Sequence, residues 1–401
     1  MTIATQFNAP KVKSFTPPEI TLMGPGPSDV PDEILEAMAR PTIGHLDPRF
    51  VGFMDETKAL LQYAFQTQNE VTLPMSGTGT FGMETCFSNL IERGDEAVIA
   101  VNGVFGKRMI ENVERMGAKA IPVEHEWGTP VDPNRVEDAL KANPNAKILA
   151  FVHAETSTGV RSDADTLCKL ATQNDCLSIV DTVTSLGGIE VRVDDWGADA
   201  VYSGTQKCLG VPPSLSPVTF SDKAMEVVRN RETPNQNWSQ DLNLIMGYWG
   251  EGGQRSYHHT APINALYALH EGLRLLANEG LENAWDRHQA MHQQLRLGAE
   301  KLGLEFLVEA AYRLPQLNAI CIPEGVDEAA LRKNLLEQYD LEIGAGLGPL
   351  QGKIWRVGLM GASAVQQNVA LFLNGMEQSL RAQSYNPSQT NTAEPPDELN
   401  R

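Results

Sequence analysis

The chain has 401 residues, of which 42% are hydrophobic and 21% charged, and its formal net charge at pH 7 is −19. This length suffices for a sizeable buried core, and no apolar run approaches the roughly 20 residues that a membrane-spanning helix needs. The acidic balance and the lack of a Lys/Arg cluster argue against nucleic acid as a partner, because its phosphates require a basic surface.

The cysteine pattern and the chain ends favour a cytoplasmic protein. Five cysteines are dispersed without C-x-x-C spacing, which is typical of reduced thiols in a cytosolic protein. The first residues lack the charged start and apolar block of a signal peptide. Polar, proline-bearing composition predicts an extended arm over residues 1–20 and a disordered tail over 385–401.

Between residues 71 and 220, short apolar runs alternate with amphipathic stretches. The runs predict strands at 96–101, 118–123, 147–152, 176–181 and 198–203, and the stretches predict helices near 79–91, 104–117, 133–142 and 164–174. Such alternation is typical of an α/β fold, with a mostly parallel sheet covered by helices on both faces. Ligands in these folds bind at the carboxyl ends of the strands.

The C-terminal part has a different pattern. Two long amphipathic helices are predicted at 260–278 and 280–301, followed by strands at 318–323 and 353–358 and helices near 327–337 and 364–381. We therefore expect a large domain over 21–278 and a smaller α+β domain over 279–384. A substrate cleft between the two would follow.

A glycine-rich loop, GTGTFG (77–82), lies between a predicted strand and a predicted helix. It matches the G-x-G-x-x-G fingerprint of dinucleotide-binding proteins, so an NAD-dependent oxidoreductase is one alternative. That fingerprint also requires an acidic residue at the end of the next strand, where this chain has Asn102. The loop fits a binding site for a single phosphate group at least as well. The helix N-terminus and the hydroxyls of Thr78 and Thr80 would form this site.

Asp181 ends the predicted buried strand 176–181, and Lys207 follows the predicted strand 198–203. The Asp181 carboxylate is a solvated strand end, a metal ligand or the partner of a buried cation, and no His or acid cluster with ligand spacing favours a metal. Lys207 follows in a loop of small polar residues, where a lysine can serve as an amine that forms an imine. The two lie 207 − 181 = 26 residues apart on successive strands, so both should reach the same edge of the sheet.

These three features together meet the requirements of pyridoxal 5′-phosphate. This cofactor needs a lysine for its aldehyde, a carboxylate for its pyridine nitrogen and an anion site for its phosphate. Lys207 would hold the aldehyde and then move a proton as general base and acid, while Asp181 would keep the ring protonated. We therefore predict Lys207 and Asp181 as the catalytic residues.

The sequence resembles the class V aminotransferases of fold type I, in the branch that acts on alanine, serine, glyoxylate and pyruvate. The resemblance extends from GPGPSDVP (24–31) to WRVGLMG (355–361). It is carried by the motifs SGTGT, NGVFGKR, HAETSTGV, VDTVTSLGG, YSGTQKCL, YHHTAP and GLGPLQGKIWRVGLMG.

The resemblance implies roles for particular residues. Those expected to bind the cofactor are Thr78, Gly79, Thr80 and Gln206 at the phosphate, Thr156 near the ring 3-oxygen, Val183 under the ring and Phe105 stacked on it, besides Asp181 and Lys207. Close relatives often have tryptophan in place of Phe105, and many have serine in place of Thr156. Tyr257 and Thr260 are expected to reach the phosphate from a second subunit, which implies a homodimer.

Substrate binding is expected from Arg356 and Gly26. The planar guanidinium of Arg356 can donate two parallel hydrogen bonds to an α-carboxylate. From the sequence alone, an exposed charge on a surface strand is the alternative. The implied reaction is a ping-pong transfer from a small amino acid, with alanine the expected donor and glyoxylate the acceptor. Serine–glyoxylate or serine–pyruvate transfer, and a binding protein that keeps the fold without catalysis, are further alternatives.

Overall fold

The computed structural model describes residues 9–250 and 255–385. The N-terminal part contains β1 (Thr21–Leu22), α1 (Asp32–Met38) and α2 (Pro48–Phe65). The central part contains β2 (Val71–Met75), α3 (Gly79–Leu90), β3 (Glu96–Val101), α4 (Val104–Arg115), β4 (Lys119–Glu124), α5 (Pro133–Ala142), β5 (Ala146–Val152), β6 (Ala154–Glu155), β7 (Val160–Arg161), α6 (Ala164–Gln173), β8 (Leu177–Asp181), α7 (Val193–Trp196), β9 (Ala200–Tyr202) and β10 (Ser216–Phe220).

The remaining elements follow β10. They are α8 (Asp222–Arg229), α9 (Leu242–Trp249), α10 (Ile263–Glu279), α11 (Leu281–Lys301), β11 (Leu317–Cys321), α12 (Glu328–Tyr339), β12 (Leu341–Glu342), β13 (Gly344–Ala345), β14 (Ile354–Gly358) and α13 (Gln366–Ala382). Residues 9–20 of the predicted arm have no regular secondary structure, and residues 1–8 and 386–401 of the predicted arm and tail lie outside the described residues. No helix in the described ranges is both long and apolar enough to cross a membrane.

A seven-stranded sheet in the order β2-β10-β9-β8-β5-β3-β4 forms the centre of the described structure. Its pairs are parallel except those of β10, which runs antiparallel to both β2 and β9. Strands β2 and β8 are buried at every position, because helices cover both faces of the sheet. The predicted α/β fold with a mostly parallel sheet is confirmed.

Strand β10 and helix α2 are among the elements that were not predicted. Strand β10 contains Pro217, which cannot donate to the sheet and therefore weakens the strand pattern in the sequence. Helix α2 begins with a recognisable signal, since the Asp47 side chain accepts a hydrogen bond from the Arg49 N–H and proline occupies the first turn.

Two main hydrophobic clusters divide the core. The larger one surrounds the seven-stranded sheet, and the second packs helices α11, α12 and α13 against the antiparallel sheet β11-β14-β13 around Trp355 and Phe372. Helix α11 begins in the first cluster, at Leu281, and ends in the second, at Ala299. This helix supports the domain boundary near residue 279, which we retain as a proposal.

The segment before α1 returns to the second cluster. Strand β1 pairs with β12, and Met23 is buried in the second cluster. The Gly358 N–H donates to the Met23 carbonyl at 2.7 Å. Residues 21–24 are thereby attached to the sheet that contains β14.

The contact at Gly358 leads to a stability prediction. A Cβ atom at this position would lie 2.0 Å from the Gly24 carbonyl oxygen. Because backbone must move to relieve this overlap, Gly358→Ala should lower the free energy of unfolding by about 1–3 kcal/mol in urea denaturation. Gly52→Ala is the matched control, because Gly52 lies in helix α2 and a Cβ there would have no atom within 4 Å. This variant should raise the free energy of unfolding by about 0.5–1 kcal/mol. Equal stability of the two variants would contradict the prediction.

Candidate active site

The turn between β2 and α3 forms an open helix N-terminus. Thr78 is the N-cap residue, but its side chain caps no backbone N–H, and α3 begins at Gly79. A Cβ at Gly79 would lie 3.1 Å from a methyl group of Val183. The unsatisfied N–H groups and the hydroxyls of Thr78 and Thr80 therefore provide a site for an anion such as phosphate.

Asp181 ends strand β8 with a carboxylate that is almost wholly buried. The residue is 2% exposed, and it accepts hydrogen bonds from the Val183 N–H at 2.8 Å and the Tyr202 hydroxyl at 2.7 Å. Burial raises the pKa of Asp181 from 3.8 to about 7, against the effect of these hydrogen bonds. No ion pair involves Asp181 in the described part of the chain, so the carboxylate can accept a further cationic donor.

Lys207 lies near this carboxylate and is 8% exposed. Burial first, and the positive charge of Arg356 second, lower its pKa from 10.5 to about 8. The Lys207 ammonium donates to the Pro25 carbonyl. Gly26 has a φ of +103°, and a Cβ there would lie 2.6 Å from Lys207 Nζ. Glycine is therefore needed at position 26 both for its backbone conformation and for the space beside the amine.

Arg356 reaches the same place from β14 in the second cluster. Its Nε donates to the Ala345 carbonyl at 2.7 Å and its Nη1 donates to the Thr156 carbonyl at 3.3 Å. The residue is 7% exposed, and burial lowers its pKa to about 10. Because no carboxylate pairs with it among the described residues, Arg356 is a buried cation available to an anionic ligand. The alternative of a surface charge on a strand is wrong.

Other predicted residues surround these charges. Phe105 is half-buried in the first turn of α4, and the Thr156 hydroxyl shares a short hydrogen bond with Thr184. Gln206 adjoins Lys207, and its buried side-chain oxygen has no hydrogen-bond partner in the described residues. Val183 lies between Asp181 and the glycine loop.

Tyr257 and Thr260 are not joined to this group within the chain. Their hydroxyls lie 3.3 Å apart, and Tyr257 is 61% exposed with its ring beside that of His45. No hydrogen bond between described residues connects either side chain to Lys207, Asp181 or the glycine loop.

Three buried residues at the site were not predicted. Tyr202 donates to Asp181, Thr184 bonds to Thr156, and Glu155 is fully buried beside the start of α4. All three lie inside the motifs that carry the resemblance, but their roles depend on partners 21 to 50 residues away in the chain.

Comparison with known proteins identifies the family. The family model described as aminotransferase class V matches residues 20–359. The chain belongs to the class V aminotransferases.

Relatives of this class V aminotransferase share most of their length with it. The (S)-ureidoglycine–glyoxylate transaminase of Bacillus subtilis is 37% identical over 376 residues, which cover 89% of each chain. The alanine–glyoxylate aminotransferase of Drosophila melanogaster is 39% identical over 368 residues, covering 91% of this chain and 93% of the relative. The crystal structure of alanine–glyoxylate aminotransferase from Nostoc sp. has a TM-score of 0.90 and 44% identity, covering 92% of this chain and 98% of that one.

Class V aminotransferases of fold type I depend on pyridoxal phosphate, and the site fits this cofactor. A buried amine, a buried carboxylate without a cation partner in the described ranges and an open helix N-terminus correspond to its aldehyde, ring nitrogen and phosphate. The side-chain oxygen of Gln206, which has no hydrogen-bond partner among the described residues, adds a polar group next to Lys207 in the chain. Family membership decides against the dinucleotide-binding alternative. No group of three or more His, Cys, Asp or Glu side chains is arranged to hold a metal ion in the described ranges.

The pKa of Lys207 leads to a pH prediction for this class V aminotransferase. Only the unprotonated amine attacks an aldehyde, so the rate at which apoenzyme takes up pyridoxal phosphate should rise with pH and level off above about 8. Arg356→Met removes a positive charge that lowers this pKa, so its profile should shift to higher pH.

Stopped-flow absorbance at a series of pH values measures this shift. Arg332→Met is the control, because Arg332 pairs with Glu328 on helix α12. Superimposable profiles for the wild type and Arg356→Met would show that Arg356 does not act on Lys207.

Proposed function

We propose that this class V aminotransferase moves the amino group of alanine to glyoxylate by a ping-pong mechanism, giving pyruvate and glycine. The observation that carries the proposal is Arg356, a buried guanidinium near the Lys207 amine that pairs with no carboxylate in the part of the chain that the structure describes. A ligand with a carboxylate next to its reacting carbon would satisfy both groups. The names of the relatives from Drosophila and Nostoc support the choice of alanine and glyoxylate.

The protein groups have distinct tasks in this proposal. Bound pyridoxal phosphate supplies the electron sink for the charge left when the substrate Cα loses its proton. Asp181 would hold the ring nitrogen of the cofactor in its protonated form, and Lys207 Nζ, with its lowered pKa, would take the proton from the substrate Cα. Lys207 would hold the cofactor through its aldehyde, and the same amine would serve as the base for the substrate proton once substrate is bound.

Binding of the cofactor is assigned to the residues around the two catalytic groups. The proposed contacts are Thr78, Gly79, Thr80 and Gln206 for the phosphate, Thr156 for the ring oxygen, and Phe105 and Val183 for the ring faces. Arg356 would bind the α-carboxylate, and Gly26 would form the wall beside Lys207. These assignments agree with the open N-terminus of α3 and with the burial of Thr156 and Gln206 Oε1.

Lys207 is tested by chemical trapping. Borohydride should bleach the yellow holoenzyme by reducing the imine between Lys207 and the cofactor. The reduced cofactor should then stay attached to Lys207, where peptide mass spectrometry would locate it. Lys207→Ala should form no such adduct and should lose nearly all turnover, by about 10⁴-fold or more, because both the covalent link and the base are removed. Lys223→Ala is the control, since Lys223 Nζ donates to the Cys176 carbonyl. Full activity in Lys207→Ala would disprove the mechanism.

Donor choice is tested by steady-state kinetics. Alanine, serine, glycine and ureidoglycine would each be paired with glyoxylate and with pyruvate, and alanine with glyoxylate should give the highest kcat/KM. Serine remains a candidate donor because a pocket separates methyl from hydroxymethyl only modestly. Ureidoglycine is included because the Bacillus subtilis transaminase is 37% identical. If serine or ureidoglycine gave a kcat/KM tenfold higher than that of alanine, that amino acid would become the proposed donor.

We also propose a homodimer in which Tyr257 and Thr260 complete the phosphate site of the partner. The exposure of Tyr257, and of Val12 and Phe15 in the N-terminal arm at 84% and 83%, supports an extended contact surface. A cytoplasmic location is proposed from the five free cysteines, of which Cys321 is half-buried and the others are buried.

Subunit complementation tests the dimer. Lys207→Ala and a Tyr257→Ala/Thr260→Ala double variant would be inactive or weak alone. When equal amounts are dissociated and reassociated, half of the dimers should be hybrids with one intact site of two, so activity should recover to about a quarter of the wild type. No recovery, with hybrid formation verified by native mass spectrometry, would show that Tyr257 and Thr260 act within their own subunit.

A further inference from the structure

Glu155 is a buried acid that the proposed chemistry does not use. Its side chain is 0% exposed, at the end of strand β6. Burial raises its pKa, while hydrogen bonds from Ser157 and from the backbone at Phe105 and Gly106 act in the opposite direction. No ion pair involves Glu155 in the described ranges, so its hydrogen bonds to neighbouring groups define its role.

These hydrogen bonds come from the N-terminus of helix α4. The N-cap residue of α4 is Gly103, which has no side chain to satisfy the first N–H groups. The Val104 N–H donates to Ser157 Oγ at 3.0 Å, and the Phe105 N–H donates to Glu155 Oε2 at 3.2 Å. The helix is therefore capped by side chains that follow it by about 50 residues in the chain.

Ser157 is itself fixed to the same carboxylate. Its N–H and its hydroxyl both donate to Glu155 Oε1, at 3.0 Å and 2.6 Å. The Ser157 hydroxyl thus accepts from Val104 and donates to Glu155. A carboxylate at a helix N-terminus is also favoured by the helix dipole, the more so away from water.

The space for this cap depends on Gly103. A Cβ at Gly103 would lie 2.3 Å from Glu155 Cδ and 2.5 Å from Ser157 Oγ. The start of α4 and the turn after β6 are therefore in direct contact. Each of these two segments contains one of the proposed ring contacts, namely Phe105 in α4 and Thr156 between Glu155 and Ser157.

We propose that Glu155 is a positioning residue, whose carboxylate holds the Phe105 ring and the Thr156 hydroxyl at the spacing that the cofactor ring requires. The inference rests on the proposed function, in which Phe105 stacks on pyridoxal phosphate and Thr156 contacts its ring oxygen. Glu155 itself touches neither cofactor nor substrate in this proposal. It acts through the backbone of both segments.

The test uses the holoenzyme with Glu155→Gln, Glu155→Ala and Ser157→Ala. The readouts are the visible circular dichroism of the bound cofactor, which reports how the ring is held, and the dissociation constant of pyridoxal phosphate. Glu155→Ala should weaken cofactor binding by about tenfold or more and reduce the dichroism, since the hydrogen bonds that Glu155 accepts from Phe105 and Ser157 are lost. Glu155→Gln retains one acceptor oxygen and should lie between Glu155→Ala and the wild type.

Asp163→Ala is the matched control for loss of a helix cap. Asp163 caps α6 by accepting from the Thr166 N–H at 3.1 Å, and α6 contains no proposed cofactor contact. This variant should become less stable in urea without a change in dichroism or cofactor affinity. Kinetics of each variant separate kcat from the KM for alanine, and the Glu155 variants should lower kcat.

Three outcomes would overturn the proposal. The first is wild-type dichroism and cofactor affinity in Glu155→Ala. The second is an equal change in these readouts in Asp163→Ala. The third is a higher KM for amino acids in Glu155→Ala, with unchanged dichroism and cofactor affinity. This result would indicate that Glu155 acts as a counter-charge for Arg356, because the charge of Glu155 raises the pKa of Arg356. Failure of the proposed function would differ from all three, because the wild type itself would then lack alanine–glyoxylate transfer.

Discussion

Burial of unpaired charge is the constraint on which this structure depends. Asp181, Lys207 and Arg356 are 2%, 8% and 7% exposed, and none has an ion-pair partner in the described residues. Isolated charges are costly to bury, and the structure accommodates them by shifting their pKa values toward the neutral forms. The same absence of internal partners leaves each group available to a cofactor or a substrate carboxylate. Stability and function therefore oppose each other at these positions.

The site forms where the two hydrophobic clusters meet. Asp181 ends β8 and Lys207 follows β9 of the seven-stranded sheet, whereas Arg356 belongs to β14 of the second cluster. The segment from Met23 to Gly26 connects them, because Met23 accepts from Gly358 and the Pro25 carbonyl accepts from Lys207. A change in the position of the second cluster would therefore be transmitted both to Arg356 and to the amine. The cap of α4 by Glu155 would have a similar effect on the proposed ring contacts, since it joins the start of α4 to the turn after β6.

Local sequence patterns were sufficient for most of the fold. The predicted strand 96–101 and helix 133–142 coincide with β3 and α5, since continuous apolar runs and amphipathic spacing are properties of the segment alone. Strand β10 was missed because Pro217 breaks the strand pattern, and because its antiparallel pairing with β2 joins residues distant in the chain, with Ser216 opposite Met75, 216 − 75 = 141 residues earlier. Helix α2 was missed although Asp47 and Pro48 mark its start.

The sequence by itself indicated the chemistry of this protein, because a lysine after one buried strand, an aspartate at the end of another and a glycine loop before a helix together meet the requirements of pyridoxal phosphate. Tertiary structure alone decided that Arg356 is buried near Lys207, that Gly26 must be glycine beside the amine, and that Glu155 caps α4. The reason is physical. Residue type and spacing are encoded locally, whereas burial and hydrogen-bond partners arise only when segments distant in the chain pack together.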